Sequence, residues 1–141
     1  MLVLQRKLLS EIANEYPYIF NSVFGEWTYE GNCPSEVYLG YEDNQLIGFI
    51  SGYTVALNTW YIQRAGFISD LIGDLRNIKR AAFVIDKLHN VWPHLLTLIR
   101  NDDYRILRMA ITLGFVIIGT RLDVQKRLWV EMRHSKEEKS G

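Results

Sequence analysis

From Glu36 onward the apolar residues change their spacing repeatedly, and the order of those changes constrains the fold more than any other feature of the chain. Glu36-Val-Tyr-Leu-Gly-Tyr41 and Leu46-Ile-Gly-Phe-Ile-Ser-Gly-Tyr-Thr54 have the residue types of strands, and the polar Glu42-Asp43-Asn44-Gln45 between them is a turn, so the pair predicts a hairpin. After a turn near Leu57-Asn58, Thr59 to Ile68 adds a third strand and completes an antiparallel meander. The period then lengthens. Leu75, Ile78, Ala82, Ile85 and Leu88 fall on one face of a helix running from Asp74 to His89, with Asp74 at the positive end of its dipole and Asn90 and Pro93 beyond its exit. His94 to Ile99 is a short apolar strand. Asn101-Asp102-Asp103 caps a helix that runs to Leu113 and ends at Gly114. Phe115 to Arg121 and Lys126 to Met132 are the last strands, joined by a turn at Asp123 to Gln125. The strands before and after the central helix become parallel neighbours, because a helical crossover returns the chain in the same direction. The expected class is α/β (α+β): a mixed, mostly antiparallel sheet with flanking helices and a central parallel strand pair.

Before Glu36 the pattern is helical. Leu8, Leu9, Ile12 and Tyr16 recur at helical spacing until Pro17, Tyr18 to Phe24 allows a second short helix, and Gly25 to Ser35 reads as a loop. No repeat or linker divides the chain, so residues 1–132 are expected to form one domain and residues 133–141 a flexible polar tail. The first residues lack a continuous apolar h-region and no stretch is long enough to span a bilayer, which points to the cytoplasm and away from membranes. With 16 Lys and Arg against 16 Asp and Glu there is no broad basic field for nucleic acid. The single Cys33 excludes an internal disulfide, and His89, His94 and His134 are not at metal-ligand spacing, so no metal is expected.

The order of elements, together with Ile99-Arg-Asn-Asp-Asp-Tyr-Arg-Ile-Leu-Arg-Met-Ala-Ile-Thr-Leu-Gly-Phe-Val-Ile-Ile-Gly119, resembles the GNAT N-acetyltransferase superfamily. Asp103 falls where that family often has a capping Asn, Leu113-Gly114-Phe115 matches its helix exit, and Gly119 matches a recurrent glycine in the next strand. The likeness covers Glu36 to Met132. Family members usually open with a strand, and here only Leu2-Val3-Leu4 could serve, as a strand or as the first turn of a helix.

The resemblance implies an acetyl-CoA site in the splay between the parallel strands. The family binds the pyrophosphate with a glycine-rich loop at a helix N-terminus, where backbone amides and the dipole meet the charge. The nearest register here is Arg76-Asn77-Ile78-Lys79-Arg80-Ala81, with Lys79 in place of the central glycine. Either Arg76, Lys79 and Arg80 replace amide contacts with ionic ones, or they are the solvated face of the helix. The family's general-acid tyrosine, four residues before the glycine of Leu-Gly-Phe, is Ala110 here. Tyr104 lies two turns earlier on nearly the same side, and Asp70, after the third strand, is the acidic candidate for a general base.

Two functions follow. One is an acyltransferase that moves an acetyl group from acetyl-CoA to an amine. The other is a catalytically inactive protein on the same fold, similar to small phage-encoded GNAT-like proteins, acting in the host cytoplasm or the virion as an assembly or interaction component. The second would use exposed aromatics, with Tyr53, Trp60 and Tyr61 as candidates, to form a homo- or hetero-oligomer.

Overall fold

The structure is a computed structural model that describes residues 2–8, 11, 14–16, 36–67 and 75–136. Among these residues lie seven strands and two helices: β1 (Leu2–Leu8), β2 (Glu36–Glu42), β3 (Gln45–Ala56), β4 (Thr59–Phe67), α1 (Leu75–Leu88), β5 (His94–Arg100), α2 (Tyr104–Thr112), β6 (Val116–Leu122) and β7 (Leu128–Ser135). The strands form one sheet in the order β1-β2-β3-β4-β5-β7-β6. Every neighbouring pair is antiparallel except β4 and β5, which run parallel on either side of α1. This is the fold class read from the sequence.

The local chemistry explains the turns. Asp43 and Asn44 take φ of 52° and 64°, and positive φ at both central residues gives a two-residue hairpin a twist that matches its strands. Asn58 does the same between β3 and β4, with φ of 59°. Asp103 caps α2 by accepting from the Ile106 amide at 3.4 Å, and Gly114 leaves that helix with φ of 98°.

Three expectations change. First, Leu2–Leu8 is a strand along its whole length and pairs with β2 from Leu2↔Glu42 to Leu8↔Glu36, so Leu8 does not begin a helix. Pairing with the buried β2 outweighs the local helical spacing. The edge strand carries paired charges, an exposed Arg6 on Glu36 and a largely covered Lys7 on Glu15. Glu11, Asn14 and Glu15 are helical, whereas the second helix and the loop expected over residues 18–35, Cys33 included, lie outside the described residues.

Second, Trp60 is fully buried, not an exposed interaction residue. It lies at the middle of the core on the helix-covered face, edge-on to Tyr38 at 5.6 Å and stacked on Trp92 at 6.4 Å. Tyr53 and Tyr61 are half-buried against each other, with ring centres 5.3 Å apart, and burial raises the Tyr61 hydroxyl pKa above its usual range. A run of exposed apolar side chains lies instead on the edge strand β6, where Val116, Ile117, Ile118 and Leu122 are each at least half exposed.

Third, Arg133, His134 and Ser135 belong to β7, pairing with Leu96, Leu95 and His94 of β5, so these residues are not part of a tail. His134 also connects elements. Its Nε2 donates to the Leu113 carbonyl at 3.1 Å, while its Nδ1 lies 2.7 Å from Nε2 of the buried His89, whose Nδ1 donates to the Trp92 carbonyl at 2.8 Å. One line of close polar contacts thus joins the exits of α1 and α2 through β7.

Ile85, Leu88 and Ala110 of the two helices pack with Tyr38, Ile50, Ile62, Leu95, Ile99, Val130 and Met132 on one face of the sheet. On the other face Val37 and Leu39 meet Tyr16, whose hydroxyl bonds that of Tyr41 at 2.7 Å; burial and this bond push the Tyr41 pKa upward. Among the described residues no helix is long and apolar enough to cross a membrane.

Candidate functional site

The central parallel pair comes apart. β4 and β5 are in register from Thr59↔His94 to Ile62↔Thr97 only, although β4 continues to Phe67 and β5 to Arg100. The Thr97 hydroxyl donates to the Ile62 carbonyl at 3.2 Å and closes the last rung. Beyond it the strands diverge.

A bulge in β4 lies at that point. Ser51 pairs with Arg64 and Gly52 with Ile62, which leaves Gln63 as an extra residue. Gly52 makes the bulge possible. A Cβ there would lie 2.1 Å from the Tyr61 carbonyl oxygen and 2.8 Å from the Trp60 ring, so no other residue fits without moving the backbone.

The gap opens into a largely apolar cavity of about 560 Å³. Gln63, Ala65 and Gly66 of β4 form one side and Thr97 to Arg100 of β5 the other. Ala81, Val84 and Ile85 of α1 cover it, with Ile106, Met109 and Ala110 of α2. A few polar side chains reach its wall, among them Gln63, Thr97 and Asp103. An apolar cleft with a few convergent polar groups is the usual form of a small-molecule site.

The candidates from the sequence separate. Ala81 lines the cavity. Lys79 is exposed on α1, and Arg80 is half-buried with its guanidinium on both carboxylate oxygens of Glu42 at 2.9 Å each, tying α1 to the end of β2. Arg76 and Asn77 begin α1, but their side chains lie outside the described residues, as does Asp70 altogether. Tyr104 is 70% exposed at the start of α2 and is not part of the cavity wall, whereas Ala110 is buried and is. The two do not share a side: six residues at 100° each place them about 120° apart around the helix. No group of three or more His, Cys, Asp or Glu stands together among the described residues.

The bulge itself was not read from the sequence. Its signal is there, in the glycines at 48 and 52 inside an otherwise apolar strand.

No family model and no curated protein sequence matches this chain. Solved structures do. A GNAT family acetyltransferase from Elizabethkingia anophelis with acetyl-CoA bound is similar at a TM-score of 0.67 and 15% identity, over 96% of this chain and 98% of that one. The N-acetyltransferase PseH of Campylobacter jejuni is similar at 0.67 and 13% identity, over 95% and 99%. An IAA acetyltransferase from Bacillus cereus is similar at 0.63 and 16% identity, over 96% and 100%. At these identities the likeness is one of fold, and the fold is that of the GNAT acetyltransferases.

Proposed function

We propose that this chain is an acyl-CoA-dependent N-acyltransferase whose thioester lies in the gap between β4 and β5. The observation that carries the reading is that the Gln63 bulge, the end of the β4–β5 register and the β4 and β5 residues lining the cavity fall at one place. An acyl-CoA, when bound, supplies an activated carbonyl on a thiol leaving group. The chain's own part is to hold and polarise it. Past Ile62 β4 is no longer in register with β5, and a β4 backbone amide facing that gap would polarise the thioester oxygen, where a fixed donor stabilises developing charge. The apolar walls exclude water and hold the reacting carbon against an incoming amine. Lys79, exposed on α1, is suited to the diphosphate as an ionic contact in place of the family's loop glycine. With Ala110 at the family's tyrosine position and Tyr104 turned away, no tyrosine of α2 serves as the acid. The amine proton goes to Asp70 or to water, and the departing sulfur takes a proton from water.

A titration with acetyl-CoA, followed by calorimetry and thermal shift, tests the reading. Ligand at a hundredfold excess over Kd should stabilise the fold by about 2.7 kcal/mol, and Lys79→Glu should weaken binding at least tenfold. Neither acetyl-CoA nor a longer acyl-CoA giving heat or stabilisation at millimolar concentration would exclude the reading.

One observation favours a second reading, an inactive GNAT-fold component of a larger assembly such as a phage virion. The edge strand β6 exposes Val116, Ile117, Ile118 and Leu122, and an unprotected apolar edge is a template for association. A monomeric mass by light scattering across micromolar concentrations, together with acetyl-CoA binding, would remove it.

A further inference from the structure

The cavity extends well beyond the gap that an acetyl thioester would occupy. From β4 it continues across β3 and β2 to β1, where Gly48, Ile50, Gly40, Tyr38, Leu4 and Leu2 line it. Successive strands lie about 4.8 Å apart, so the space reaches on the order of 14 Å across the sheet from β4. Its floor has a specific cause. Leu4, Gly40 and Gly48 are paired in one row, Leu4↔Gly40 and Gly40↔Gly48, so two neighbouring strands present no side chain side by side. Ala81 faces the same cavity from α1.

Nothing in the backbone requires a glycine at position 40. A Cβ there would meet Leu2, the Gly48 carbonyl and Ile47 at 3.7–3.8 Å, which is ordinary contact. Among the described glycines only Gly114 has positive φ. Gly52, where a Cβ would collide at 2.1 Å, shows the contrast. The consequence of Gly40 is therefore space, and that space is apolar and continuous with the gap where the thioester carbonyl is placed.

We infer that the acyl group this site takes is a medium-length alkyl chain, laid from the β4 bulge across the Gly48–Gly40 floor beneath α1. The inference rests on the acyl-CoA reading above. The trough suits an unbranched chain: it has hydrocarbon on the Leu2, Leu4, Ile50, Val84 and Ile85 sides and reaches the β4 bulge at one end. A methyl group alone would leave most of it without contacts. An apolar acceptor entering the same trough is the competing source of such a chain, and the test separates the two.

The experiment compares octanoyl-CoA, acetyl-CoA and CoA by calorimetry on the full chain, with no acceptor present. Octanoyl-CoA should bind at least tenfold more tightly than acetyl-CoA, a modest share of what burial of about six further methylenes can supply. In Gly40→Leu, which fills the floor, the ratio of the two affinities should fall to near one, with Gly40→Val carrying the test if the leucine variant does not fold by circular dichroism. Equal affinity of the two thioesters for the unaltered chain overturns the inference and leaves the acyl-CoA reading standing. A preference that survives in both variants overturns the placement of the chain. No binding of any of the three overturns the acyl-CoA reading and this inference with it. Octylamine competing with octanoyl-CoA but not with acetyl-CoA supports a single shared trough, whereas octylamine binding that Gly40→Leu abolishes while octanoyl-CoA affinity stays unchanged assigns the trough to the acceptor and overturns the inference.

Discussion

Gly52 is expected to be the least replaceable of the sheet glycines described, and Gly52→Ala measures how firmly the β4 bulge is held. The added methyl carbon would sit 2.1 Å from the Tyr61 carbonyl oxygen and 2.8–2.9 Å from two atoms of the Trp60 ring. The first contact is with backbone and cannot be relieved by a rotamer. The second is with a side chain that is fully buried, edge-on to Tyr38 and stacked on Trp92. Relief requires β3 and β4 to separate or their register to slide, so the cost belongs at the upper end of the range for overpacking, about 3 kcal/mol. For a chain of this size that lowers Tm by roughly 6–12 °C. Gly40→Ala is the matched control, because its methyl would meet nothing closer than 3.7 Å. It should stay within about 1 kcal/mol of the unaltered chain, on the stabilising side if reduced freedom of the unfolded chain dominates. Urea unfolding followed by tryptophan fluorescence reads both, with the m-value checking that the native state stays compact. Equal destabilisation by the two substitutions would refute the claim that the bulge geometry, not strand propensity, demands glycine at position 52. A Gly52→Ala protein as stable as the unaltered chain would refute the close approach itself.

The histidine line and the β6–β7 loop give two further tests. His134→Ala leaves the Leu113 carbonyl and a ring nitrogen of buried His89 without this partner, and should cost about 1–3 kcal/mol by urea unfolding; a change under about 0.5 kcal/mol would show that the line carries no stability. Asp123 accepts from Trp129 Nε1 and from the backbone and guanidinium of Arg127, and these bonds hold its carboxyl well below the usual carboxylate range. Because the folded pKa is the depressed one, its stabilisation is complete above the unfolded value of about 3.9 and is lost as pH falls through the folded value. Stability of the unaltered chain should therefore fall more steeply below pH ~4 than that of Asp123→Asn; parallel pH profiles in urea unfolding would refute the assignment.

The elements that the sequence marks with local chemistry are the ones that were legible in it. Asp43-Asn44 and Leu57-Asn58 announce turns because short polar side chains tolerate positive φ, and Asp103 and Gly114 bracket α2 because a helix end needs an acceptor at one side and a left-handed residue at the other. What was not legible depends on partners distant in sequence. Only Leu2-Val3-Leu4 has the local look of a strand; the strand runs on through Leu8 because β2 offers it an edge distant in sequence. Arg133–Ser135 look like a polar terminus, yet the same three residues satisfy β5 and place His134 between two helix exits. Trp60 and the apolar residues of β6 show the same limit from the other side. Alternation says which residues share a face, but only strand order says whether that face is covered: β4 lies at the centre of the sheet and β6 at its edge.

The candidate site follows the same division, and the division explains why a family motif alone reads it poorly. Of the motif side chains described, Arg80 is held in an ion pair to Glu42, Lys79 and Tyr104 face solvent, and Ala81 lines the cavity. The cleft lies in backbone geometry that no side-chain motif encodes, namely a strand pair that separates after Ile62↔Thr97 and a bulge that depends on one missing methyl group at Gly52. A cleft set by the backbone can persist while the side chains around it differ. That is consistent with solved structures of the same fold matching nearly the whole chain at only 13–16% identity, and it makes the glycines of β3 more informative about ligand binding than the charges of α1.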